Sequence, residues 1–275
     1  MIKALDALHR AFLWGAVDSI SGAKCLVAWA RVCRSKDEGG LGVRALEVQN
    51  GCLLVKILHR LHTAEESSWT KWVWSETGAG SILDRDAGGD GGTHWAALQR
   101  LVPLYRSITT VTVGNGERTS FWHDSWLPGG ALAGSHGALF SHTMHGEASV
   151  ASVVARGLDS IFGPRLNHAG SRERGVVLQL ICVVRLSSSI DSRTVVGPCA
   201  GAKGSLRTSI FYKLCRLGGM SATFPEFVWG SWAPTRVKFF GWLLALSRIH
   251  TRDLLLKKTI ITAEEAGCPC CPLPL

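Results

Sequence analysis

Glycine constrains this chain more than any other residue type. Its 31 glycines gather between short apolar blocks instead of spreading evenly. A chain punctuated this way is poorly suited to long uninterrupted elements, because glycine carries the largest backbone entropy cost inside a helix or strand. Several small cores are expected in place of one large one. The densest run, residues 75–93 (SETGAGSILDRDAGGDGGT), offers little to bury and reads as a flexible linker. At 275 residues the chain has room for one large domain or two small ones, and this linker sets the expected division.

Between the glycines the apolar spacing is mainly helical. Residues 2–14 place Ile2, Leu5, Leu8, Phe12 and Leu13 along one face, and Gly15 then stops the helix. Asn50 is expected to cap a helix whose buried stripe is Leu53, Leu54, Ile57, Leu58 and Leu61. Stretches 150–158, 176–186 and 206–217 read as further helices, the last with Thr208 as N-cap. The clearest β signal lies in residues 108–122, where β-branched residues flank Gly114-Asn115-Gly116, a source of the positive φ a hairpin turn needs. A lone hairpin is marginal in water, so Phe121 and Trp122 must dock on a neighbouring helix. The expected fold is mainly α with a β-hairpin, an α+β arrangement of small units. In order these are a helical unit 1–74, the linker 75–93, a helix plus hairpin 94–128, a poorly defined and loosely packed middle 129–203, and a C-terminal unit 204–275.

Composition narrows the function classes. A formal net charge of +9 favours polyanionic partners, nucleic acid first, although a basic protein without such a partner has the same composition. Eleven tryptophans serve either to pack cores or to stack on bases. No run approaches the roughly 20 apolar residues of a membrane span, so no membrane partner is expected. The start, MIKALDALHR, is an amphipathic helix and not a signal peptide. Nine cysteines, an odd number and mostly single, do not make a disulfide framework. A reducing compartment, nucleus or cytoplasm, is expected over secretion.

Motifs of catalysis are missing from the sequence. It contains no Asp-Asp pair, no G-x-x-x-x-G-K-[ST], no G-x-S-x-G and no H-E-x-x-H. Asp84, Asp86 and Asp90 lack the spaced oxygen ligands and terminal Glu of a calcium loop and read as solvated. His123 and Asp124 are adjacent with no nucleophile in view, so they read as structural. The chain by itself is not expected to be an enzyme.

The richest segment runs from Trp232 to Cys271. Pro234 opens a helix with Val237, Phe240, Leu243, Leu244 and Ser247 on one face, and Thr251 caps the next, Arg252 to Lys258. Arg236, Lys238, Arg248, Arg252, Lys257 and Lys258 interleave with Phe239 and Trp242. That is the composition of a nucleic-acid surface with stacking platforms, and equally of a solvated helix face over buried aromatics. Cys268-x-x-Cys271 then supplies two thiolates at metal-ligand spacing; Cys270 could replace either, and further donors would be His250 or a histidine and cysteine on another chain. A closed zinc site takes four ligands, so zinc is expected at an incomplete site, the first half of a module, or the thiols stay unbound.

These residues also carry a family resemblance. Trp232-x-Pro234-x-x-Val237-Lys238-Phe239-Phe240-x-Trp242-Leu243-Leu244, then Arg248-Ile249-x-Thr251-x-Asp253-x-Leu255, then Cys268-x-x-Cys271, resembles the reverse-transcriptase zinc-binding domain of plant non-LTR (LINE-type) retrotransposon polyproteins. Phe12-Leu13-Trp14-Gly15, Val27-x-Trp29, Val32-Cys33 and Gly39-Gly40-Leu41-Gly42-Val43 resemble the block that follows the polymerase core in such elements. Asn50 through Leu61, Val113-Gly114-Asn115-Gly116, Phe121-Trp122-His123-Asp124-x-Trp126-Leu127 and the helix from Leu206 to Leu214 are similar to later blocks. The match weakens between about Gly163 and Lys203, where Asp191 is followed by Val195-Val196 and relatives carry Asp and then Trp. The resemblance implies a non-catalytic retrotransposon fragment that holds RNA or DNA. Its polymerase core would lie before Met1, and a downstream His and Cys would complete the zinc site. Two other readings stay open: a domesticated protein-interaction module using the tryptophan-rich faces, and an accessory subunit of a polymerase supplied in trans.

Overall fold

A computed structural model of the protein describes residues 1–63, 67–77, 92–216 and 222–267. Among the described residues, fourteen α-helical segments, three short 3-10 turns and two short strands make up its regular structure. They begin with α1 (Ile2–Gly15), α2 (Trp29–Val32), α3 (Leu46–Leu61) and α4 (Ser68–Thr77). Next come α5 (Gly92–Arg100), α6 (Val102–Ser107), β1 (Thr109–Thr112), α7 (Leu132–Ser135), α8 (Gly137–Phe140) and α9 (Val150–Arg156). The chain continues through α10 (His168–Cys182), β2 (Ser192–Val195), α11 (Thr208–Cys215), α12 (Pro225–Trp229), α13 (Thr235–Ala245) and α14 (Arg252–Lys257). The fold is mainly α with one small antiparallel β element, as the sequence predicts. Among the described residues no helix is long and apolar enough to cross a membrane.

Two compact units divide the chain, and the division is discontinuous in sequence: Met1–Gln49 with Arg216–Leu275, and Asn50–Cys215. The boundaries between these units fall at 49/50 and 215/216. Most of the expected linker, residues 78–91 with Asp84, Asp86 and Asp90, lies outside the described residues.

In the Asn50–Cys215 unit the strand expected after Ile108 forms, but its partner is not the segment beyond the Gly114-Asn115-Gly116 turn. β1 pairs antiparallel with β2, in the register Thr109↔Val195 through Thr112↔Ser192. The reason is Asp191. One carboxylate oxygen accepts the backbone N–H groups of Gly114 (2.7 Å) and Gly116 (2.8 Å), and the other accepts from Arg118 N (3.0 Å) and Thr119 Oγ1 (2.7 Å). Asn115 N adds a bond to Ser189 O at 2.7 Å, and Ser187 N one to Gly114 O at 2.9 Å. The glycine loop thus wraps segment 187–191 instead of turning a local hairpin. A Cβ at Gly114 would sit 2.2 Å from Ser189 O, and Gly116 has φ +74°, so both positions demand glycine.

Two residues beyond Asp191, Arg193 extends the clamp. Its guanidinium donates to both oxygens of Asp124, which is wholly buried and also faces Arg106 Nε at 3.2 Å. Ser120 N donates to Asp124 at 2.7 Å, and Arg106 reaches on to Glu147 at 3.0 Å. A buried carboxylate is tolerated when cations and hydrogen bonds meet it on every side, and Asp124 satisfies that condition. Its structural role agrees with the sequence reading of His123-Asp124.

The core beside this network refutes a loosely packed middle. Phe121 and Trp122 are fully buried, with ring centroids 5.0 Å apart and planes at 84°. Around them close Leu132, Leu139, Val150, Val153, Leu158, Ile161 and Val177, all from the region expected to be poorly defined. The aromatics do dock on helices, and Trp122 meets Phe140 of α8 at 5.4 Å. The expectation failed because the segments are short and each supplies only one or two core residues. α9 is capped by Ser149, whose side chain accepts from Ser152 N, and α10 by Asn167, which accepts from Gly170 N.

Helix existence was read correctly more often than helix face. α3 starts four residues before Asn50 and buries Cys52, Val55, Leu58, His59 and Leu61, whereas Leu53 is exposed. In α1, Leu5, Leu8 and Phe12 are exposed and Ala11 is buried. His62, just beyond α3, is buried against Tyr105 and Trp74, and its Nδ1–H donates to Leu58 O at 2.8 Å.

Two predictions follow from these buried polar groups. Replacing Asp191 by Ala strands three backbone N–H donors and one hydroxyl, each costing about 1–3 kcal/mol when buried and unpaired. A loss of at least about 3 kcal/mol in urea unfolding is expected, with Asp191→Asn losing less because it keeps one acceptor oxygen. The second concerns acid. Burial, then the nearby Arg193 charge, pushes the His62 pKa down to about 3, and burial also lowers that of His59. An unfolded histidine binds its proton near pH 6.5, so the unfolded state holds more protons below that pH and stability falls on acidification. Between about pH 6.5 and 5, where carboxylates are still ionised, unfolding free energy should drop as pH falls, and His62→Phe should flatten the slope.

Candidate nucleic-acid interface

In the other unit a tryptophan decides how α13 lies. The helix is apolar on several sides, with Val237, Phe239, Phe240, Trp242, Leu243, Leu244 and Leu246 distributed around it. Two competing stripes exist: Val237, Phe240 and Leu244, or Phe239, Trp242, Leu243 and Leu246. The second turns inward. Trp242 is fully buried, and its indole N–H donates to Gly39 O at 2.9 Å. Val27, Val32, Val228 and Leu243 complete this core, with Trp14, Trp29, Phe224 and Phe239 packed around it. Burying an indole removes more area from water than burying Phe240 would, and the N–H partner removes its polar cost. Gly39 adopts φ +78° in the Gly39-Gly40-Leu41-Gly42 turn, and a Cβ at Gly40 would lie 2.2 Å from Arg34 O.

That orientation decides between the two sequence readings of the aromatics. Trp242 is core and Phe239 packs half-buried against it, as the reading of a solvated face over buried aromatics has it. Val237, Phe240 and Leu244, read as its apolar face, are about half exposed. Around α12 and α13 the exposed rings among the described residues are Phe240 at 55% exposure, Phe227 at 85% and Trp232 at 104%. Arg236 is four positions before Phe240 and so shares its side of the helix.

The six predicted cations divide by what holds them. Lys238 Nζ donates to Trp229 O at 3.0 Å, at the end of α12. Arg252 donates to the carbonyls of Glu265 (3.2 Å) and Gly267 (2.5 Å), tying the chain after α14 back to that helix. Lys257 pairs with Asp253 at 2.8 Å, an exposed i,i+4 pair worth little once water screens it. Arg236, Arg248 and Lys258 are exposed and their side chains have no partner among the described residues. Thr251 caps α14 as expected, accepting from Leu254 N at 3.3 Å, and Pro234 stands just before α13 as its N-cap. The Glu265 carboxyl is held below its usual range by the Thr262 N–H and hydroxyl.

Cys268 and Cys271 lie outside the described residues, as does Cys270. His250, the upstream donor, is exposed between α13 and α14. Among the described residues no three His, Cys, Asp or Glu side chains come together to hold a metal ion. The described donors therefore do not close a four-ligand zinc site.

Comparison with known proteins places this region. Residues 207–274 match the family described as zinc-binding in reverse transcriptase. Over 267 residues, 92% of the chain, it is 28% identical to an Arabidopsis thaliana protein named as a ribonuclease H protein, covering 41% of that protein. An uncharacterized mitochondrial protein of the same plant is 27% identical over 132 residues, 46% of this chain and 83% of its own length. No solved structure matches the chain significantly. The chain thus spans less than half of the longer relative, and carries a C-terminal segment of the reverse-transcriptase zinc-binding type.

The exposed Trp232, Phe227 and Phe240 were not singled out as ligand-facing by the sequence. Their signal was the absence of a packing partner, which only the fold reveals.

Proposed function

We propose that the chain is a non-catalytic portion of a LINE-type retroelement reverse-transcriptase protein, and that it holds nucleic acid through its C-terminal helices. The observation that carries this reading is the coincidence, within the segment of reverse-transcriptase zinc-binding type, of three unpartnered cations with three exposed aromatic rings. Arg236, Arg248 and Lys258 are the leading backbone contacts. Phe240, Trp232 and Phe227 offer stacking faces that accept any base. Lys257 adds charge when its exposed pair with Asp253 opens, while Lys238 and Arg252 mainly hold the scaffold. Zinc, when bound, would be held by Cys268 and Cys271 with two further donors.

Single-stranded binding by this route has a defined salt signature. Each neutralised phosphate contributes a slope of about −0.7 in log K against log salt. Arg236→Gln, Arg248→Gln and Lys258→Gln together should reduce the slope by about 2 for a labelled oligonucleotide followed by anisotropy. A salt-insensitive affinity that these changes leave alone would overturn the electrostatic reading without favouring a protein-interaction surface, and primer extension by the purified chain would overturn the non-catalytic reading. For zinc, the expected result is metal retained in proportion to protein and lost in the Cys268→Ser, Cys271→Ser variant. Equal metal content in both would remove the two cysteines from the site.

A further inference from the structure

In the Asn50–Cys215 unit, a cleft of about 490 Å³ opens between α3, the start of α4 and the β2–α11 connection. The charged side chains lining it are Lys56, Arg60, Arg193 and Lys203, and no carboxylate lines it among the described residues. Thr63, Ser67, Thr70, Ser192, Thr194 and Ser205 also line it, and the hydroxyls of Thr63 and Ser205 donate to the carbonyls of Arg60 and Ala202.

The four cations are not equivalent. Arg193 is consumed by Asp124 and contributes little free charge. Lys56 and Lys203 are exposed with no side-chain partner among the described residues. Arg60 lies with its guanidinium 5.3 Å from the ring centroid of Trp69, a contact that orients it without neutralising it. Burial lowers the His59 pKa, and among the described residues Lys56, Arg60 and Lys203 are the cations of the wall without a carboxylate beside them.

Local backbone geometry keeps Lys203 at the rim. It adopts φ 54°, ψ 31° in the short turn Ala202–Gly204, a left-handed conformation that lysine rarely takes. Gly204 follows at φ +72°, where a Cβ would lie 2.8 Å from the Thr194 side chain. The turn therefore rests directly on β2, and Lys203 projects from a fixed position.

We infer that this cleft is a second phosphate-binding site, taking the backbone of single-stranded nucleic acid on Lys56, Arg60 and Lys203. Concave shape and unpaired cations together suit a phosphodiester, and Trp69, itself partly exposed, offers a ring beside Arg60 for an adjoining base. The site goes beyond the C-terminal interface proposed above, and shares no residue with it. Glu65 and Glu66 fall in sequence between Thr63 and Ser67, outside the described residues.

The test uses the full chain carrying Arg236→Gln, Arg248→Gln and Lys258→Gln, so that the C-terminal cations are silent. A labelled single-stranded decanucleotide is titrated by anisotropy, with inorganic pyrophosphate as competitor. Residual binding is expected, and Lys56→Gln, Arg60→Gln and Lys203→Asn, added to that background, should weaken it at least tenfold at low salt. Asparagine tolerates the left-handed backbone, and an unchanged melting temperature confirms the fold. Displacement by millimolar pyrophosphate supports a phosphate site. Pyrophosphate binding by a chain that ignores the oligonucleotide would overturn the nucleic-acid assignment. Equal oligonucleotide affinity with and without the three cleft changes would overturn the site itself, whatever the C-terminal variant shows.

Discussion

Asp191 stands where a glycine loop and a returning strand must meet, and the larger unit is organised around that meeting. Its two oxygens collect three backbone N–H groups and a hydroxyl from residues 114–119. Two residues later Arg193 reaches Asp124, so a single short strand carries both halves of the clamp. The strand pairing over Thr109–Thr112, the burial of Phe121 and Trp122, and the position of the turn at Lys203 all depend on it. Buried charge of this kind is costly unless satisfied on all sides, and it penalises alternative registers strongly. A two-stranded sheet too small to persist alone is thereby fixed.

The smaller unit relies on a different constraint. Trp242 carries a large apolar surface and one N–H, and Gly39 O meets that N–H inside the core. Turning this face inward turns Phe240 outward and leaves Arg236 on the same side. The surface proposed to hold nucleic acid is thus a consequence of core packing: the rings left outside the core are the ones available to stack.

Much of the architecture was legible. Glycine punctuation, caps such as Thr251 and the Gly114-Asn115-Gly116 loop marked element ends. The helix faces were not. α3 and α13 each carry apolar residues on more than one side, so periodicity permits two stripes and only neighbours choose between them. The middle region misled for a related reason. Leu132, Leu139, Val150 and Val177 look isolated along the chain and meet only in space. Of the six predicted contact residues, Lys238, Arg252 and Lys257 proved to have partners within the protein, which charge spacing alone does not show.

The sequence by itself determined composition, charge, the cysteine pair and the ordered motifs that resemble a reverse-transcriptase zinc-binding region, because those are properties of residues in order. Tertiary structure decided which aromatics are core and which are surface. It decided that β1 pairs with a strand eighty residues away, and that Lys56, Arg60 and Lys203 line one cleft. The physical reason is the same in each case. Burial and hydrogen-bond satisfaction are set by what lies opposite a side chain, and what lies opposite comes from distant parts of the chain.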